Sequence, residues 1–146
     1  YFLHHRFSSI INLTESGNGV VQDRTIYEDV EIFSKNLYEM GFMDDRDWET
    51  YRQLFANMTK FLKAPDLIIY LKADLPTILD RIETRSRKYE ATIDPKYLER
   101  LNNFYDDWID KIDWTKVLIV DTNNFNIFND TEKLHSIYED IKEKLS

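Results

Sequence analysis

The chain has 146 residues, with 19 Lys and Arg against 27 Asp and Glu, three Gly and no Cys. This length suits one domain with a buried core, and an apolar share of 42 % excludes a disordered acidic segment. The net charge of −8 argues against nucleic-acid and membrane partners, and the lack of Cys excludes disulfides and zinc–thiolate sites.

Helical periodicity dominates the first half of the chain. Apolar spacing predicts three helices, over residues 1–15, 26–40 and from Asp44 or Asp45 to Pro65. Gly17 and Gly19 end the first helix, and Gly41 stands where a left-handed C-terminal cap of the second belongs. Between these two helices, Val20 and Val21 predict a very short buried strand.

Strands alternate with helices in the second half. Runs of apolar β-formers predict strands over residues 67–71 and 117–120, and their continuous apolarity is typical of strands covered on both faces. Predicted helices begin near Asp74, Asp94 and Thr131. This alternation indicates an α/β fold with a parallel sheet, in which ligands bind beyond the carboxyl ends of the strands.

Asp23 and Arg24 directly follow the first predicted strand. A carboxylate there can hold Mg²⁺, and the adjacent guanidinium can bind an anion or a hydroxyl that is being activated. The alternative is structural: Asp23 caps the following helix and Arg24 pairs with a nearby acid. Asp29 is open to a functional and a structural interpretation too, since the helix dipole favours an acid near a helix N-terminus.

Four cations and one acid stand within residues 81–88 of this otherwise acidic chain. Arg81 and Arg85 are four residues apart and therefore share a helical face, while Arg87 lies near the helix end. Converging guanidinium groups suit a polyphosphate, because each directs two N–H groups at phosphate oxygens. The alternative is a cationic helix C-terminus that satisfies the dipole, with Arg87 paired to an acid on the same helix.

The glycines exclude a phosphate loop within these 146 residues. Gly17 and Gly19 are two apart, and no Gly follows Gly41. A phosphate loop requires the pattern G-x-x-x-x-G-K-[ST], and a dinucleotide loop requires G-x-G-x-x-G; these glycines form neither. No apolar run is long enough to span a membrane, and no signal peptide is recognisable. Because the chain begins at Tyr1 without Met, we expect that an N-terminal part precedes it.

Taken together, these motifs resemble the deoxynucleoside kinase family, in its bacterial deoxyadenosine/deoxyguanosine kinase branch. Residues 21–29, Val-Gln-Asp-Arg-Thr-Ile-Tyr-Glu-Asp, resemble the family's Glu/Asp-Arg-Ser block. Residues 69–90 resemble its strand, helix and Arg-rich lid, and residues 1–7 resemble the end of the helix that lines the nucleoside pocket. The resemblance covers nearly the whole chain. It implies a single domain over residues 1–146 with a three-layer P-loop-kinase-like α/β fold, whose N-terminal strands are absent from this chain.

The resemblance also implies roles at the phosphates. Asp23 would lie at the Mg²⁺, and Arg24 would lie near the nucleoside 5′-hydroxyl and the transferring phosphate. The ATP phosphates would be surrounded by Arg81, Arg85 and Arg87. The loop from Asp121 to about Phe125 would lie against the adenine of ATP.

Further residues would bind the deoxynucleoside. Arg6 and Asp29 would contact the edge of the base, and Phe33 would pack on its face. Glu90, supported by Tyr97, would accept a hydrogen bond from the 3′-hydroxyl of the sugar.

This sequence departs from the family pattern in three ways. Asp23-Arg24-Thr25 replaces the commoner Glu-Arg-Ser, and Ser86 stands where the lid usually has Gly. The resemblance also places the phosphate loop, its strand, the general-base carboxylate and a base-pairing Gln upstream of Tyr1. We therefore expect the 146-residue chain alone to be inactive.

These implications combine into one functional hypothesis. The whole protein would be a cytoplasmic, homodimeric salvage kinase that transfers the γ-phosphate of ATP to the 5′-hydroxyl of a purine deoxynucleoside, with Mg²⁺. Two alternatives stay open. One is a nucleoside monophosphate kinase of the thymidylate kinase type, and the other is a non-catalytic nucleoside-binding module.

Overall fold

The structure is a computed structural model that describes residues 1–85 and 93–146. The chain divides into two compact units, an N-terminal unit of Tyr1–Lys63 and a C-terminal unit of Ala64–Ser146. The strands found in the described ranges lie in the C-terminal unit. The single domain over residues 1–146 stays a prediction.

Helices build the N-terminal unit. They are α1 (Phe2–Glu15), α2 (Ile26–Glu28), a π-helical segment (Asp29–Ser34), α3 (Lys35–Glu39) and α4 (Asp45–Thr59). The buried centre consists of Leu3, Ile26 and Val30. Partly buried side chains pack on this centre, among them Phe7, Ile10 and Tyr27. The apolar spacing of the third predicted helix puts five side chains on one face, and all five pack on this centre, so that face is confirmed: Trp48, Tyr51, Phe55, Met58 and Leu62.

The predicted helix over residues 26–40 contains a wider turn in its middle. Residues Asp29–Ser34 are π-helical, and four of them are buried: Asp29, Val30, Ile32 and Ser34. A π-helical turn is rare and often marks a functional site. Apolar periodicity cannot reveal it, because the pattern records which residues face the core and not which carbonyl each N–H group reaches.

α3 ends in the predicted glycine cap. Gly41 has a φ of +77°, and its N–H donates to the carbonyl of Tyr38 at 2.9 Å. The N–H of Phe42 donates to the carbonyl of Leu37 at 2.9 Å. These two bonds form a Schellman motif, in which the left-handed glycine allows the last carbonyls of the helix to be satisfied.

The strand predicted at Val20 and Val21 is wrong. Neither residue belongs to a strand, and Val21 is 98 % exposed. The backbone of a strand needs a neighbouring strand to pair its N–H and carbonyl groups, and the described elements of the N-terminal unit supply none.

The described part of the C-terminal unit pairs two parallel strands with three helices. In chain order these are β1 (Leu67–Lys72), α5 (Leu75–Arg85), α6 (Pro95–Ile109), β2 (Lys116–Asp121) and α7 (Thr131–Leu145). The register runs from Leu67 opposite Lys116 to Lys72 opposite Asp121, so the carboxyl ends of both strands meet at one edge. The predicted α/β fold with a parallel sheet is confirmed.

The sheet is more open than its apolar runs indicated. Leu71 is 64 % exposed and Ile119 is 52 % exposed, and the register places these side chains on opposite faces of the sheet. Coverage of both faces is therefore wrong for the described residues. A run of apolar residues predicts burial only where other elements cover it, and the helices of this unit leave these two side chains open.

Aspartates begin four of the helices. Asp44, Asp74 and Asp94 each accept a hydrogen bond from a backbone N–H two or three residues ahead, as their positions predict. At α7 the cap is Asp130, which accepts from the N–H of Lys133 at 3.1 Å. The predicted cap, Thr131, is instead the first helical residue, so that prediction is wrong by one position.

Candidate functional site

A capping box fixes the start of α2 directly after Asp23 and Arg24. The hydroxyl of Thr25 accepts a hydrogen bond from the N–H of Tyr27 at 3.3 Å, and Glu28 accepts one from the N–H of Thr25 at 2.8 Å. The pattern Thr-x-x-Glu stands in the sequence and could have predicted this helix start. Because Thr25 is the cap, the alternative in which Asp23 caps this helix is wrong.

Arg24 adopts a backbone conformation that side-chain-bearing residues rarely take. Its φ is +61°, in the left-handed region that costs an L-residue about 1–2 kcal/mol. Its guanidinium carbon lies 4.7 Å from the ring centroid of Phe33, which is a cation–π distance. Backbone outliers of this kind cluster at active sites and ligand clamps.

Arg6 connects this turn to a buried acid. Its Nη1 donates to the carbonyl oxygen of Arg24 at 3.1 Å and, in a longer contact of 3.5 Å, to that of Asp23. Its Nε lies 3.5 Å from Oδ2 of Asp29. One side chain of α1 therefore contacts two segments that follow it by at least 17 residues.

Asp29 is a buried carboxylate with an unsatisfied oxygen. Burial raises the pKa of Asp29 above its ordinary value, although the positive charge of Arg6 opposes this shift. Oδ2 has no hydrogen-bond donor in the described ranges, since the 3.5 Å approach of Arg6 is longer than a good N–H···O bond. A buried acceptor left without a donor is costly, and a bound ligand can supply the donor.

Two hydroxyl groups near this acid were not predicted as site groups. They belong to Ser34, at the end of the π-helical segment, and to its neighbour Tyr51 of α4. Burial raises the pKa of Tyr51, and the negative charge of Asp29 adds to the shift. The sequence marks Tyr51 only as a core residue, because its polar partner comes from another element.

The N-terminal unit thus brings together five predicted site residues: Arg6, Asp23, Arg24, Asp29 and Phe33. The geometry links them in pairs, and the roles assigned to them at a nucleoside and a metal stay predictions. The capping box and the π-helical turn position these residues, and apolar periodicity could show neither feature.

In the C-terminal unit, Thr122 joins the ends of the two strands. Its N–H and its hydroxyl both donate to the carbonyl of Lys72, at 2.8 and 2.9 Å, and the residue is buried. Asn123 accepts from the N–H of Asp74 at 2.8 Å and donates its own N–H to the carboxylate of Asp121 at 2.9 Å. Sequence reasoning named this loop but missed Thr122 and Asn123, because nothing in a polar loop shows where its hydrogen bonds go.

Arg81 ties α5 to the same loop. Its guanidinium donates to the Thr122 hydroxyl at 3.0 Å, to the Thr122 carbonyl, and to the Phe125 carbonyl at 3.4 Å. The predicted position of Arg81 is at the ATP phosphates. In this structure several of its N–H groups are directed at the loop that the resemblance assigns to adenine, and its role at phosphate stays a prediction.

An open groove of about 650 Å³ lies between α5 and this loop. Arg81 and Arg85 line it from the helix, and Phe125 lines it from the loop. The ammonium of Lys133 lies 5.4 Å from the centroid of the Phe125 ring. The groove therefore combines two guanidinium groups with an aromatic face, a combination that suits a phosphorylated aromatic ligand.

α6 is fastened to the same end of β1. Tyr70 and Lys72 both donate to Oδ1 of Asp106, at 3.0 and 2.9 Å, and Asn102 donates to the carbonyl of Ala73 at 3.2 Å. Burial and the hydrogen bond to Asp106 raise the pKa of Tyr70. These contacts hold the strand end that carries the Lys72 carbonyl.

Three further predicted site residues belong to this unit. Arg87 and Glu90 lie outside the described residues. Tyr97 is half-buried near the start of α6, where its N–H donates to the carbonyl of Asp94 at 2.9 Å. The support of Glu90 by Tyr97 stays a prediction.

Asp23 is the residue that could hold a magnesium ion together with a substrate. Among residues 1–85 and 93–146, no group of three or more His, Asp or Glu side chains could hold a metal ion. Mg²⁺ is commonly held by one or two carboxylates together with substrate phosphates, and the exposed Asp23 beside Arg24 suits that pattern.

No helix in the described ranges is long and apolar enough to cross a bilayer.

Comparisons with known proteins cover the whole chain. The family model described as deoxynucleoside kinase matches residues 1–146. The chain is 38 % identical over 143 residues to a deoxyadenosine/deoxycytidine kinase of Bacillus subtilis, covering 97 % of this chain and 66 % of the relative. It is 40 % identical over 134 residues to a deoxyadenosine kinase of Dictyostelium discoideum, covering 92 % of this chain and 54 % of the relative. The chain thus spans between 54 and 66 % of the length of these two relatives.

A comparison with a solved structure supports the predicted fold. The chain matches a deoxyadenosine kinase of M. mycoides with bound dATP at a TM-score of 0.79 and 26 % identity, covering 97 % of this chain and 71 % of that one. The predicted P-loop-kinase-like α/β fold is confirmed by this likeness.

Proposed function

Since the chain belongs to the deoxynucleoside kinase family, we propose that the whole protein transfers the γ-phosphoryl group of ATP to the 5′-hydroxyl of a deoxynucleoside. The observation that carries this proposal is the cluster in the N-terminal unit, where an aromatic ring, a buried acceptor and two guanidinium groups are linked by direct contacts. An aromatic ring can stack on a nucleobase and an acceptor can bind an N–H group of that base, while a guanidinium can bind a phosphate.

The base would be held by Phe33 and Asp29. The ring of Phe33 offers a face for stacking. The unsatisfied oxygen of Asp29 offers an acceptor for an amino or imino N–H of the base. Because Asp29 is buried, a base that lacks a donor at that position would leave the oxygen unpaired, and this penalty supports discrimination between bases.

Arg24 would act at the transferring group. In the reaction, the 5′-hydroxyl gives its proton to the general-base carboxylate that the resemblance places upstream of Tyr1. Its oxygen forms a bond to the γ-phosphorus, the bond from that phosphorus to the β–γ bridging oxygen breaks, and ADP leaves. Catalysis of such a transfer depends mainly on positioning and on stabilising negative charge. The Arg24 guanidinium beside Phe33 supplies positive charge next to the proposed base site.

Asp23 would hold Mg²⁺ with the phosphates of ATP. Bound Mg²⁺ would neutralise part of the negative charge on those phosphates. Asp23 adjoins Arg24 in the chain, so the turn that the capping box fixes carries both charges.

ATP would occupy the groove of the C-terminal unit. Arg81 and Arg85 would contact its phosphates, and the loop from Asp121 to Phe125 would lie against its adenine. The hydrogen bonds from Arg81 to this loop support the proposal, because they hold the loop beside the same helix that presents Arg85.

We further propose a purine deoxynucleoside as substrate and a cytoplasmic homodimer as the working form. Deoxyadenosine is in the names of both relatives described above, and deoxycytidine is in one of them. Phe2, Phe42 and Phe61 of the N-terminal unit are exposed, and an interface between copies would remove such side chains from water. Sedimentation of the whole protein tests the dimer, and cell fractionation tests the compartment.

Steady-state kinetics of the whole protein tests the proposed reaction. With ATP, Mg²⁺ and deoxyadenosine we expect deoxyadenosine 5′-monophosphate and ADP in equal amounts, measured by ion-exchange chromatography. Deoxyguanosine and deoxycytidine serve as competing acceptors. A protein that binds deoxyadenosine in calorimetry but forms no monophosphate would be a binding module and would refute the proposed transfer.

The choice of acceptor tests the nucleoside monophosphate kinase alternative. Deoxyadenosine 5′-monophosphate and thymidine 5′-monophosphate are offered under the same conditions. Formation of a diphosphate from either, with no reaction of the deoxynucleosides, would favour that alternative. The variant Arg24→Ala serves as the inactive reference in both assays.

A further inference from the structure

We propose that Arg6 is a positioning residue for Arg24 and Asp23, beyond any contact that it makes with a base. This inference rests on the proposed function, because it assigns Arg24 to phosphoryl transfer. Its basis is geometric: Arg6 donates to the carbonyl of Arg24 at 3.1 Å and approaches that of Asp23 at 3.5 Å.

The turn at Arg24 needs an external constraint. Its φ of +61° is unfavourable for any residue with a Cβ atom, so the surrounding structure must hold it. The residues before it give no strand, and Val21 is 98 % exposed. On its other side, the capping box of Thr25 and Glu28 holds the chain. Arg6 holds the carbonyl that lies between Arg24 and that box.

The chemistry of the guanidinium suits this double contact. Nη1 of Arg6 faces the two carbonyl oxygens, while Nε faces the carboxylate of Asp29. A planar fork of N–H donors can serve both from two separate nitrogens, whereas the ammonium of Lys presents all of its N–H groups from one nitrogen. Arg6 therefore links the conformation of the Asp23-Arg24 turn to the acid of the proposed base site.

A positioning role predicts a loss in kcat that does not depend on the base. In the whole protein, Arg6→Lys should lower kcat by about 10- to 100-fold, since a displacement of about 1 Å at the transferring group can cost this much. The loss should be similar for deoxyadenosine, deoxyguanosine and deoxycytidine. Arg46→Lys is the matched control, because the Arg46 side chain is 87 % exposed, and its kcat should stay unchanged.

A contact with the base alone would give another result. KM would then rise by an amount that differs from one base to the next, and kcat would stay unchanged. That result would overturn the inference. Arg6→Gln, which keeps one amide donor but no charge, provides a second variant if Arg6→Lys does not fold, and the same loss of kcat is expected.

Hydrogen exchange followed by mass spectrometry gives a readout that needs no activity. In Arg6→Lys we expect at least tenfold faster exchange in the peptide over residues 20–28, which contains the turn and the capping box, and no change there in Arg46→Lys. Unchanged exchange would overturn the inference. If the wild type phosphorylates no acceptor, the proposed function fails, and the exchange result still decides whether Arg6 holds the turn.

Discussion

The two units of the chain hold their candidate site residues in different ways. In both, an arginine donates to backbone carbonyls of a loop, Arg6 to the Asp23-Arg24 turn and Arg81 to the loop after β2. In the N-terminal unit the turn is strained, and the acid paired with Arg6 is buried in a π-helical segment. In the C-terminal unit the loop leaves a strand in regular register, and its polar atoms pair with the ends of both strands.

This difference separates two ways of building a site. Regular parallel strands place the polar groups that follow them at one edge of the sheet without a strained backbone. A strained turn and a buried unsatisfied oxygen exist only while neighbouring contacts hold them. We therefore expect substitutions at the site residues of the strained turn to change mainly catalysis, and those in the loop after β2 to change mainly stability and binding of ATP.

The largest effect is expected at Arg24. Arg24→Ala removes a positive charge from the proposed transfer site, and kcat for deoxyadenosine should fall by about 10³-fold, or about 4 kcal/mol in the barrier. Steady-state kinetics of the whole protein measures it, with the exposed Arg46→Ala as control. A change smaller than tenfold would place Arg24 outside the reaction and would remove the main contrast between the units.

The next effect concerns the core beneath the turn. Ile26 is fully buried beside Leu3 and Val30, so Ile26→Ala should lower the free energy of unfolding by about 2–5 kcal/mol. Urea denaturation followed by circular dichroism checks it. Val21→Ala, at a position that is almost fully exposed, should stay within about 0.5 kcal/mol. Equal losses at both positions would contradict the core described here.

In the C-terminal unit, Thr122→Val tests the junction of the strand ends. The change keeps the shape of the buried side chain but removes the hydroxyl that donates to Lys72 and accepts from Arg81. We expect a loss of about 1–3 kcal/mol in stability and a higher KM for ATP with kcat little changed. Thr131→Val, at the exposed first residue of α7, is the control. A fall in kcat with unchanged KM would show that this junction serves the transfer step itself.

A smaller effect isolates backbone conformation. In the part of the chain that the structure describes, no atom beyond the adjacent residues lies within 4 Å of a Cβ added to Gly41 or to Gly19. Gly41 nevertheless has a φ of +77°, and Gly19 does not share this left-handed conformation. Gly41→Ala should therefore cost about 1–2 kcal/mol, whereas Gly19→Ala should be neutral or slightly stabilising. Thermal unfolding of both variants measures the difference, and equal melting temperatures would argue against the Schellman motif.

The smallest effect is the pH dependence of stability, which should have opposite signs at Asp29 and Asp74. Burial raises the pKa of Asp29, so its contribution is present at low pH and is lost as pH rises through that pKa. Hydrogen bonds from Thr77 lower the pKa of Asp74, so its contribution is present near neutral pH and is lost as pH falls through that pKa. Asp29→Asn and Asp74→Asn should change the slope of stability against pH, measured between pH 3 and 7, in opposite directions. If both substitutions shifted the slope in the same direction, the opposite pKa shifts of Asp29 and Asp74 would be contradicted.

Sequence reasoning predicted the C-terminal unit more completely than the N-terminal one. Both strands of the C-terminal unit were placed within one residue at each end, because apolar runs and capping aspartates are local signals. The π-helical turn and the conformation of Arg24 depend on contacts between distant segments, so local patterns could not show them. The false strand at Val20 and Val21 has the same origin, since pairing requires a partner that the pattern does not specify.

For the candidate site, the residue types could be predicted but not their partners. Resemblance named Arg6, Asp29 and Phe33, and the structure places them together. It could not show that Arg6 holds a backbone carbonyl. The hydroxyl of Thr122 was missed, because it gains its importance from a hydrogen-bond partner in another element, Arg81 of α5.

The aromatic pairs of the two units give each one its own spectroscopic signal. Trp48 stacks on Tyr38 in the N-terminal unit, with centroids 5.2 Å apart and planes 12° apart. Trp108 meets Tyr105 edge-on in the C-terminal unit, with centroids 6.4 Å apart. The third indole, Trp114, is 41 % exposed, and Trp114→Phe would remove its signal. A protein whose indoles in this chain are reduced to Trp48 or to Trp108 would report by fluorescence and near-ultraviolet circular dichroism on one unit at a time.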